Sequence, residues 1–392
     1  APSRGLGDVY KRQVHMLENI PQGEAKMPHS INGKGNTSCR SIYWWTSGFF
    51  PGILWYINEY TGDKAFESFA KKWTEKLEPV KTFKGNHDIG FMMYCSFGNA
   101  YRLTQNEKYK DILIQSAYSL ATRFNPQVGT IKSWDSWRSW ENKHVFKYPV
   151  IIDNMMNLEL LFWASKATGD PSFRNIAISH AEKTMKYQIR KDGSSYHLAC
   201  YDPETGNFIK GETSQGYSNE STWSRGQGWG IYGFTLCYRE TKDPRFLKTA
   251  QRMADYYINH PNLPSDKIPW WDFDTHRPGF IPGKFSKTNK YIQNYRDASA
   301  ASVTASALLE LSSYVKDDKK KIYTETALQI LTSLSSPEYR AEEGKNGNFI
   351  LKHSTGAIPH GSEVDVPLIY ADYYFLEALL RYNRMINNKP IL

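Results

Sequence analysis

The sequence predicts an all-α protein, a six-hairpin α/α barrel (toroid) with long loops lining one mouth. Three observations lead there. A short phrase recurs between apolar segments, those segments carry helical spacing, and the remaining connections are long and aromatic. The phrase reads Tyr60-Thr61-Gly62-Asp63-x-x-Phe66, then Leu103-Thr104-Gln105-Asn106-x-x-Tyr109. It returns as Ala167-Thr168-Gly169-Asp170-x-x-Phe173 and Glu240-Thr241-Lys242-Asp243-x-x-Phe246, with a degraded copy around Val315-Lys316-Asp317. Asp or Asn stands where a helix N-cap is wanted, and Pro171 and Pro244 follow at the first helical position. Each copy is therefore expected to be the turn of a helical hairpin.

The flanking segments agree. Residues 65–73 place Phe66, Phe69, Ala70 and Trp73 at helical spacing, and residues 154–166 do the same with Met155, Leu158, Leu161 and Phe162. Residues 246–258 carry Leu247, Ala250, Met253, Ala254 and Tyr257. Residues 298–315, rich in Ala, Ser and Leu, suit an inner helix in close contact with its neighbours, and residues 372–382 close the chain with another helix. Strand-like alternation is confined to about 194–198 and 349–352. Five turns plus a pairing of the terminal helices give about twelve helices, and closing them into a ring removes the ends that an open solenoid must cap. Uneven repeat lengths also argue against a uniform solenoid. The long loops 124–149, 188–220 and 262–295, rich in Trp, Tyr, Gly and Pro, are then expected to line one mouth. Residues 14–392 read as a single catalytic domain. Residues 1–13 (APSRGLGDVYKRQ) resemble translated sequencing-adapter read-through and are expected to be a non-native leader.

Composition narrows the function. Lys and Arg number 49 against 40 Asp and Glu, a net charge of +9 that suits an anionic partner. The basic residues are scattered, the longest run being Lys319-Lys320-Lys321, so no nucleic-acid stripe is present. No run of 18 apolar residues exists to span a membrane. The 26 Tyr and 12 Trp outnumber the 19 Phe twofold, and residues with a flat face and a polar tip line carbohydrate clefts as well as interfaces. Cys39, Cys95, Cys200 and Cys237 have no metal-ligand spacing, and HExxH, Walker and GxSxG motifs are absent. The sequence predicts no cofactor and no metal.

The densest stretch is 221–234, STWSRGQGWGIYGF. Glycines 226, 228, 230 and 233 leave the backbone bare for a ligand or for a neighbouring helix, and the sequence leaves both open. Arg225 offers a planar fork suited to a carboxylate or sulfate, beside the flat faces of Trp223 and Trp229. Asp88, in Gly85-Asn86-His87-Asp88-Ile89-Gly90-Phe91, and Asp153, in Ile151-Ile152-Asp153-Asn154-Met155, are carboxylates among apolar neighbours at expected loop-to-helix junctions. Two such groups facing one cleft would suit glycosidic acid/base chemistry, whereas N-capping is the competing reading of each. Tyr43-Trp44-Trp45 and the cluster Trp134, Trp137 and Trp140 could stack on sugar rings or fill the core. His197 lies in an expected hairpin and Gln215 stands ten residues before Arg225.

Together, Trp45-Thr46-Ser47-Gly48-Phe49-Phe50-Pro51-Gly52, His87-Asp88-Ile89-Gly90-Phe91, Ile152-Asp153-Asn154-Met155-Met156-Asn157-Leu158, residues 221–234 and Gly361-Ser362-Glu363-Val364-Asp365-Val366-Pro367-Leu368 resemble the unsaturated glucuronyl hydrolases, glycoside hydrolase family 88. Tyr370-Ala371-Asp372-Tyr373-Tyr374 completes the set, and the resemblance spans about residues 28–382 in order. It implies an α/α barrel that hydrates the C4–C5 double bond of an unsaturated uronate at the non-reducing end of lyase-generated, glycosaminoglycan-type oligosaccharides. It implies Asp153 as general acid/base, Asp88 as its essential carboxylate partner, and Trp45, Trp134, His197, Gln215, Arg225 and Trp229 as substrate contacts. Gln227 favours this family over the related unsaturated rhamnogalacturonyl hydrolases of family 105, which tend to carry Asn there. A non-catalytic glycan-binding barrel is the remaining alternative, and intact Asp88 and Asp153 speak against it. The resemblance points to a bacterial protein, periplasmic or cytoplasmic. Oligomeric state and the sugar beyond the uronate are not legible in the sequence.

Overall fold

The computed structural model describes residues 2–20 and 26–391. Thirteen α-helices run in order: α1 (Pro2–Asn19), α2 (Phe49–Thr61), α3 (Lys64–Glu75), α4 (Ile89–Met93), α5 (Asn99–Thr104), α6 (Glu107–Ala121), α7 (Leu158–Thr168), α8 (Pro171–Tyr187), α9 (Ser224–Thr241), α10 (Pro244–Asn259), α11 (Ala298–Ser312), α12 (Asp317–Ser335) and α13 (Ile369–Ile386). A π-helical turn, Tyr94–Gly98, joins α4 to α5, so the two form one rod and the rods number twelve among the described residues. The inner rods α2, α4–α5, α7, α9, α11 and α13 each pack on the next, and α13 returns to α2, closing the ring. Helices α3, α6, α8, α10 and α12 back them from outside. Every residue of α11 is buried, whereas α10 buries a stripe of Phe246, Thr249, Ala250, Met253, Ala254 and Tyr257. All-round burial is what the inner wall of a toroid requires, and a single apolar stripe is what its outer layer requires.

The recurrent phrase forms the turns. The caps Asp63, Asn106, Asp170 and Asp243 accept the backbone N–H two residues on, at 2.8–2.9 Å. The residue before each cap, Gly62, Gln105, Gly169 or Lys242, is left-handed (φ 69, 54, 75 and 57°) and ends the preceding helix. The degraded copy departs from this: α12 starts behind Lys316, which makes no side-chain cap bond.

Residues 2–13 belong to α1, which continues unbroken past residue 13. Val9, Arg12 and Gln13 are buried, and Arg12 Nη1 donates to Glu342 O (3.0 Å). The strand expected near 194–198 lies at Leu198–Tyr201, in the middle of an antiparallel sheet with Tyr148–Ile151 and Phe208–Glu212, while 349–352 contributes only the bridge Arg340–Leu351.

The glycines of α9 serve packing. A Cβ on Gly226 would sit 2.7 Å from the Trp223 ring, one on Gly230 would collide with Met253, and one on Gly233 with Met155. Across the barrel axis, rings of Phe49, Phe91, Trp229 and Tyr374 join through centroid distances of 5.1–5.8 Å and make a floor. Behind it, at the end carrying the hairpin turns, lies a cavity of about 490 Å³ lined by Tyr56, Tyr94, Trp163, Tyr232, Glu377 and Arg381 among others.

Candidate active site

The N-terminal ends of the inner helices converge on the other side of that floor. Asp88 precedes α4 with φ −73° and ψ 9°, not the extended backbone of a working N-cap, and its side chain makes no cap hydrogen bond. Asp153 lies inside a 3-10 turn, Ile152–Met156, rather than ahead of it, and caps nothing. The capping reading therefore fails for both carboxylates, which are buried to within 8% and 6% of full coverage. Two ties fix their segments to each other. Asn157 Oδ1 accepts Phe91 N–H (2.9 Å), and Gly90 has no Cβ because one would stand 2.6 Å from Asn157 Cα.

His197, just ahead of the middle strand of the sheet, approaches Asp153 with Nε2 3.5 Å from Asp153 Oδ1. Its Nδ1 accepts the N–H of Ser214 (3.0 Å) and of Gln215 (3.3 Å), so the ring proton sits on Nε2, facing the carboxylate. Burial pushes the His197 pKa down, against the pull of Asp153, which keeps the imidazole a neutral donor. Gln215 is half-buried, and its Nε2 donates to Gly356 O (3.3 Å).

Arg225 is not the free fork that its sequence setting suggests. Nη1 donates to Asp297 Oδ2 (3.1 Å) and Thr355 O (2.7 Å), and Nη2 donates to Gly356 O (2.8 Å). The guanidinium carbon lies 4.5 Å from the Trp223 ring centroid and 5.1 Å from that of Tyr370. Arg225 thus holds the 355–356 loop, and Nε is left without a partner. Trp229 is fully buried in the floor and presents no open face, although its Nε1 has no hydrogen-bond partner. Gln227 accepts from Ser195 Oγ (2.9 Å) and donates to Gly193 O (2.8 Å) and Met253 O (3.0 Å), a tie inside the protein.

Half-buried Trp45 stands 4.8 Å from Tyr370 and 5.4 Å from Phe91, and half-buried Trp134 stands 6.5 Å from His197. Trp137 and Trp140 spend their indole N–H groups on Glu212 (2.7 Å) and Ser214 O (3.0 Å), and the buried Trp223 ring lies closer to His197 than Trp134 does, at 4.6 Å. Sequence reasoning gave no role to Asp297, Tyr370 or the pair His29–Glu363 (2.5 Å), which lie around Arg225. Tyr370 and Glu363 stand in quoted motifs, but nothing local signals their partner.

Buried polar atoms are nearly always hydrogen-bonded. Here Asp153 Oδ1, His197 Nε2, His87 Nε2, Arg225 Nε, Trp229 Nε1 and Tyr370 OH are buried without a partner. One carboxylate oxygen among five groups that can donate suits a polar, anionic guest. Among the described residues no group of three or more His, Cys, Asp or Glu is placed to hold a metal ion.

Known proteins match this arrangement. A family model, Glycosyl Hydrolase Family 88, matches residues 15–239. An unsaturated glucuronyl hydrolase of Formosa agariphila is 46% identical over 388 residues, 98% of this chain and 92% of its own. An unsaturated chondroitin disaccharide hydrolase of Streptococcus pyogenes is 34% identical, covering 86% of this chain and 81% of its own. Among solved structures, an unsaturated glucuronyl hydrolase specific for heparin superposes with a TM-score of 0.89 at 44% identity over 100% of this chain and 98% of that one. A second, in complex with dGlcA-Glc-Rha-Glc, gives 0.87 at 31% identity over 98% of each chain.

Proposed function

Because this chain belongs to glycoside hydrolase family 88, we propose that Asp153 and Asp88 carry out unsaturated glucuronyl hydrolysis at the N-terminal ends of the inner helices. The enzyme releases a 4-deoxy-4,5-unsaturated uronic acid from the non-reducing end of lyase-generated oligosaccharides. The substrate's C4–C5 double bond is an enol ether, which needs a proton donor more than a nucleophile. Asp153 gives a proton to C4, then takes one from the water that adds to C5, so that H and OH are added across the double bond and Asp153 is restored. The hemiketal opens by breaking the bond from C5 to the ring oxygen. C1 is then a hemiacetal and expels the next sugar as an alcohol.

Each neighbour has a task that its contacts support. His197, a neutral donor with its proton on Nε2, orients the Asp153 carboxyl or a substrate oxygen. Arg225 brings positive charge beneath the uronate carboxylate, with Nε as its unspent donor, and Trp229 Nε1 can donate from the floor. Trp45 and Trp134 flank the sugar ring, and Gln215 stands beside His197. Asp88 faces the same space as the carboxylate partner.

The observation that carries this reading is the buried, non-capping Asp153 carboxylate with His197 Nε2 3.5 Å from its Oδ1. The test is loss of the ultraviolet absorbance of the unsaturated uronate with a panel of lyase-generated heparin and chondroitin disaccharides. Turnover of at least one is expected, with heparin-derived substrates first in the panel because the heparin-specific relative is 44% identical. Silence across the whole panel overturns the reading.

A further inference from the structure

His87 stands beside Asp88 and has no part in the mechanism above. It is fully buried, and both its ring nitrogens are committed in direction. Nδ1 lies 3.0 Å from Ser133 Oγ, and Nε2 lies 3.1 Å from Asp88 Oδ1, at an angle too bent for a full hydrogen bond. Its backbone N–H donates to Ser133 O (3.2 Å), so the ring cannot swing far. Ser133 Oγ also accepts Ile151 N–H (2.9 Å), at the end of the strand that delivers Asp153 two residues later. With that lone pair engaged, the Ser133 hydroxyl proton can go to His87 Nδ1, which places the histidine proton on Nε2, toward Asp88. One hydroxyl thus touches both carboxylate-bearing segments.

We propose that His87 and Ser133 are positioning residues that set the orientation of Asp88 relative to Asp153. The proposal rests on the reading of Asp88 and Asp153 as the reacting carboxylates. Ser133 acts on both sides: through His87 it turns Asp88, and through Ile151 N–H it holds the start of the turn containing Asp153. His197 plays the corresponding part for Asp153, with its Nδ1 held by backbone N–H groups instead of a hydroxyl. Each carboxylate therefore has a histidine Nε2 at its Oδ1, and each histidine is held from behind by the protein.

Three variants test this against a purely structural role, with kcat, KM and thermal midpoint measured on each. His87→Phe fills the space but donates nothing. It is expected to lower kcat about 50-fold with KM within about twofold, because a carboxylate out of position by about 1 Å costs on the order of 100-fold. His87→Gln restores a donor and is expected to recover kcat to within about fivefold of the parent, while its thermal midpoint matches that of His87→Phe. Ser133→Ala is expected to lower kcat about 10-fold. Parental kcat in His87→Phe, or His87→Gln no better than His87→Phe, overturns the proposal. If His87→Phe does not fold, parental kcat in Ser133→Ala overturns it. An Asp88→Asn variant separates the two readings: its full turnover would remove the catalytic pair itself, whereas an inactive Asp88→Asn beside an unaffected His87→Phe would remove only this inference.

Discussion

The two ends of the barrel are built on opposite rules. At the turn end the chain answers one question four times. Thr61, Thr104, Thr168 and Thr241 each donate their hydroxyl to the carbonyl four residues back (2.7 Å in all four) and accept the N–H of the following cap (3.1–3.3 Å). Every polar group in that motif has its partner, and all of them lie within a few residues of each other. At the mouth nothing repeats. Arg225 reaches Asp297 and the 355–356 carbonyls, His197 is held by Ser214, and buried polar atoms such as Asp153 Oδ1 and Arg225 Nε have no partner. Local contacts make the frame, and long-range contacts at the mouth make the site.

The sharpest way to separate the two ends is Asp153→Asn. Turnover is expected to fall by about 10³-fold, as loss of a general acid/base does, while the thermal midpoint is unchanged or higher. Full activity in this variant would remove Asp153 from its role.

Next in size is a difference in pH response. Burial pushes Asp272 up to about 7, with Asp274 adding to the rise, and burial likewise pushes Asp372 up to about 7. Both take up protons more readily in the folded state, so their contribution to stability is complete below the ordinary carboxylate pKa and is lost as pH rises from about 4 to 7. The turn caps behave oppositely. Asp170 is held below its ordinary value by Ser172 N–H, and Asp243 by Arg245, so their contribution is lost as pH falls below about 4. Thermal midpoints measured against pH should show a decline from 4 to 7 that is shallower in Asp272→Asn. An identical slope in that variant would show that Asp272 does not titrate in this window.

Glycine substitutions should distinguish the ends by activity. Gly233→Ala forces Met155 aside and is expected to cost about 1–3 kcal/mol of stability. Gly90→Ala pushes on Asn157, the tie between the Asp88 and Asp153 segments, so a similar stability loss should come with a fall in kcat. Denaturant titration with parallel assays checks both, and equal kcat in Gly90→Ala and the parent would show that this tie does not align the carboxylates.

Smaller still are the caps. Asp63→Ala and Asp243→Ala should each cost about 1 kcal/mol, add in the double variant, and leave kcat unchanged. Last come the left-handed turn residues: Lys242→Gly and Gln105→Gly relieve a conformation that glycine adopts without strain and are expected to gain about 0.5 kcal/mol each.

The same contrast explains what the sequence made legible. The turns could be read because cap, glycine and proline act within a few residues, and the expected caps at Asp63, Asn106, Asp170 and Asp243 are present. The inner helix at 298–315 could be read from its small residues. At the mouth, the identity of the carboxylates was legible but their surroundings were not. Whether Asp88 caps a helix depends on a backbone angle, and what Arg225 binds depends on a loop 130 residues away. The bare backbone of 226–233 was visible in the sequence, but not that Met155 and Met253 fill the space. His87 was quoted for its place beside Asp88, and only Ser133, on another loop, gives it a task.

The ring floor of Phe49, Phe91, Trp229 and Tyr374 lies across the barrel axis behind the proposed site. In the proposed reaction a uronate that enters first would lie deepest, so after bond cleavage the departing sugar would block its way out. Release would then be ordered, with the aglycone leaving before the acid. Free product returning to the empty enzyme would then compete directly with substrate.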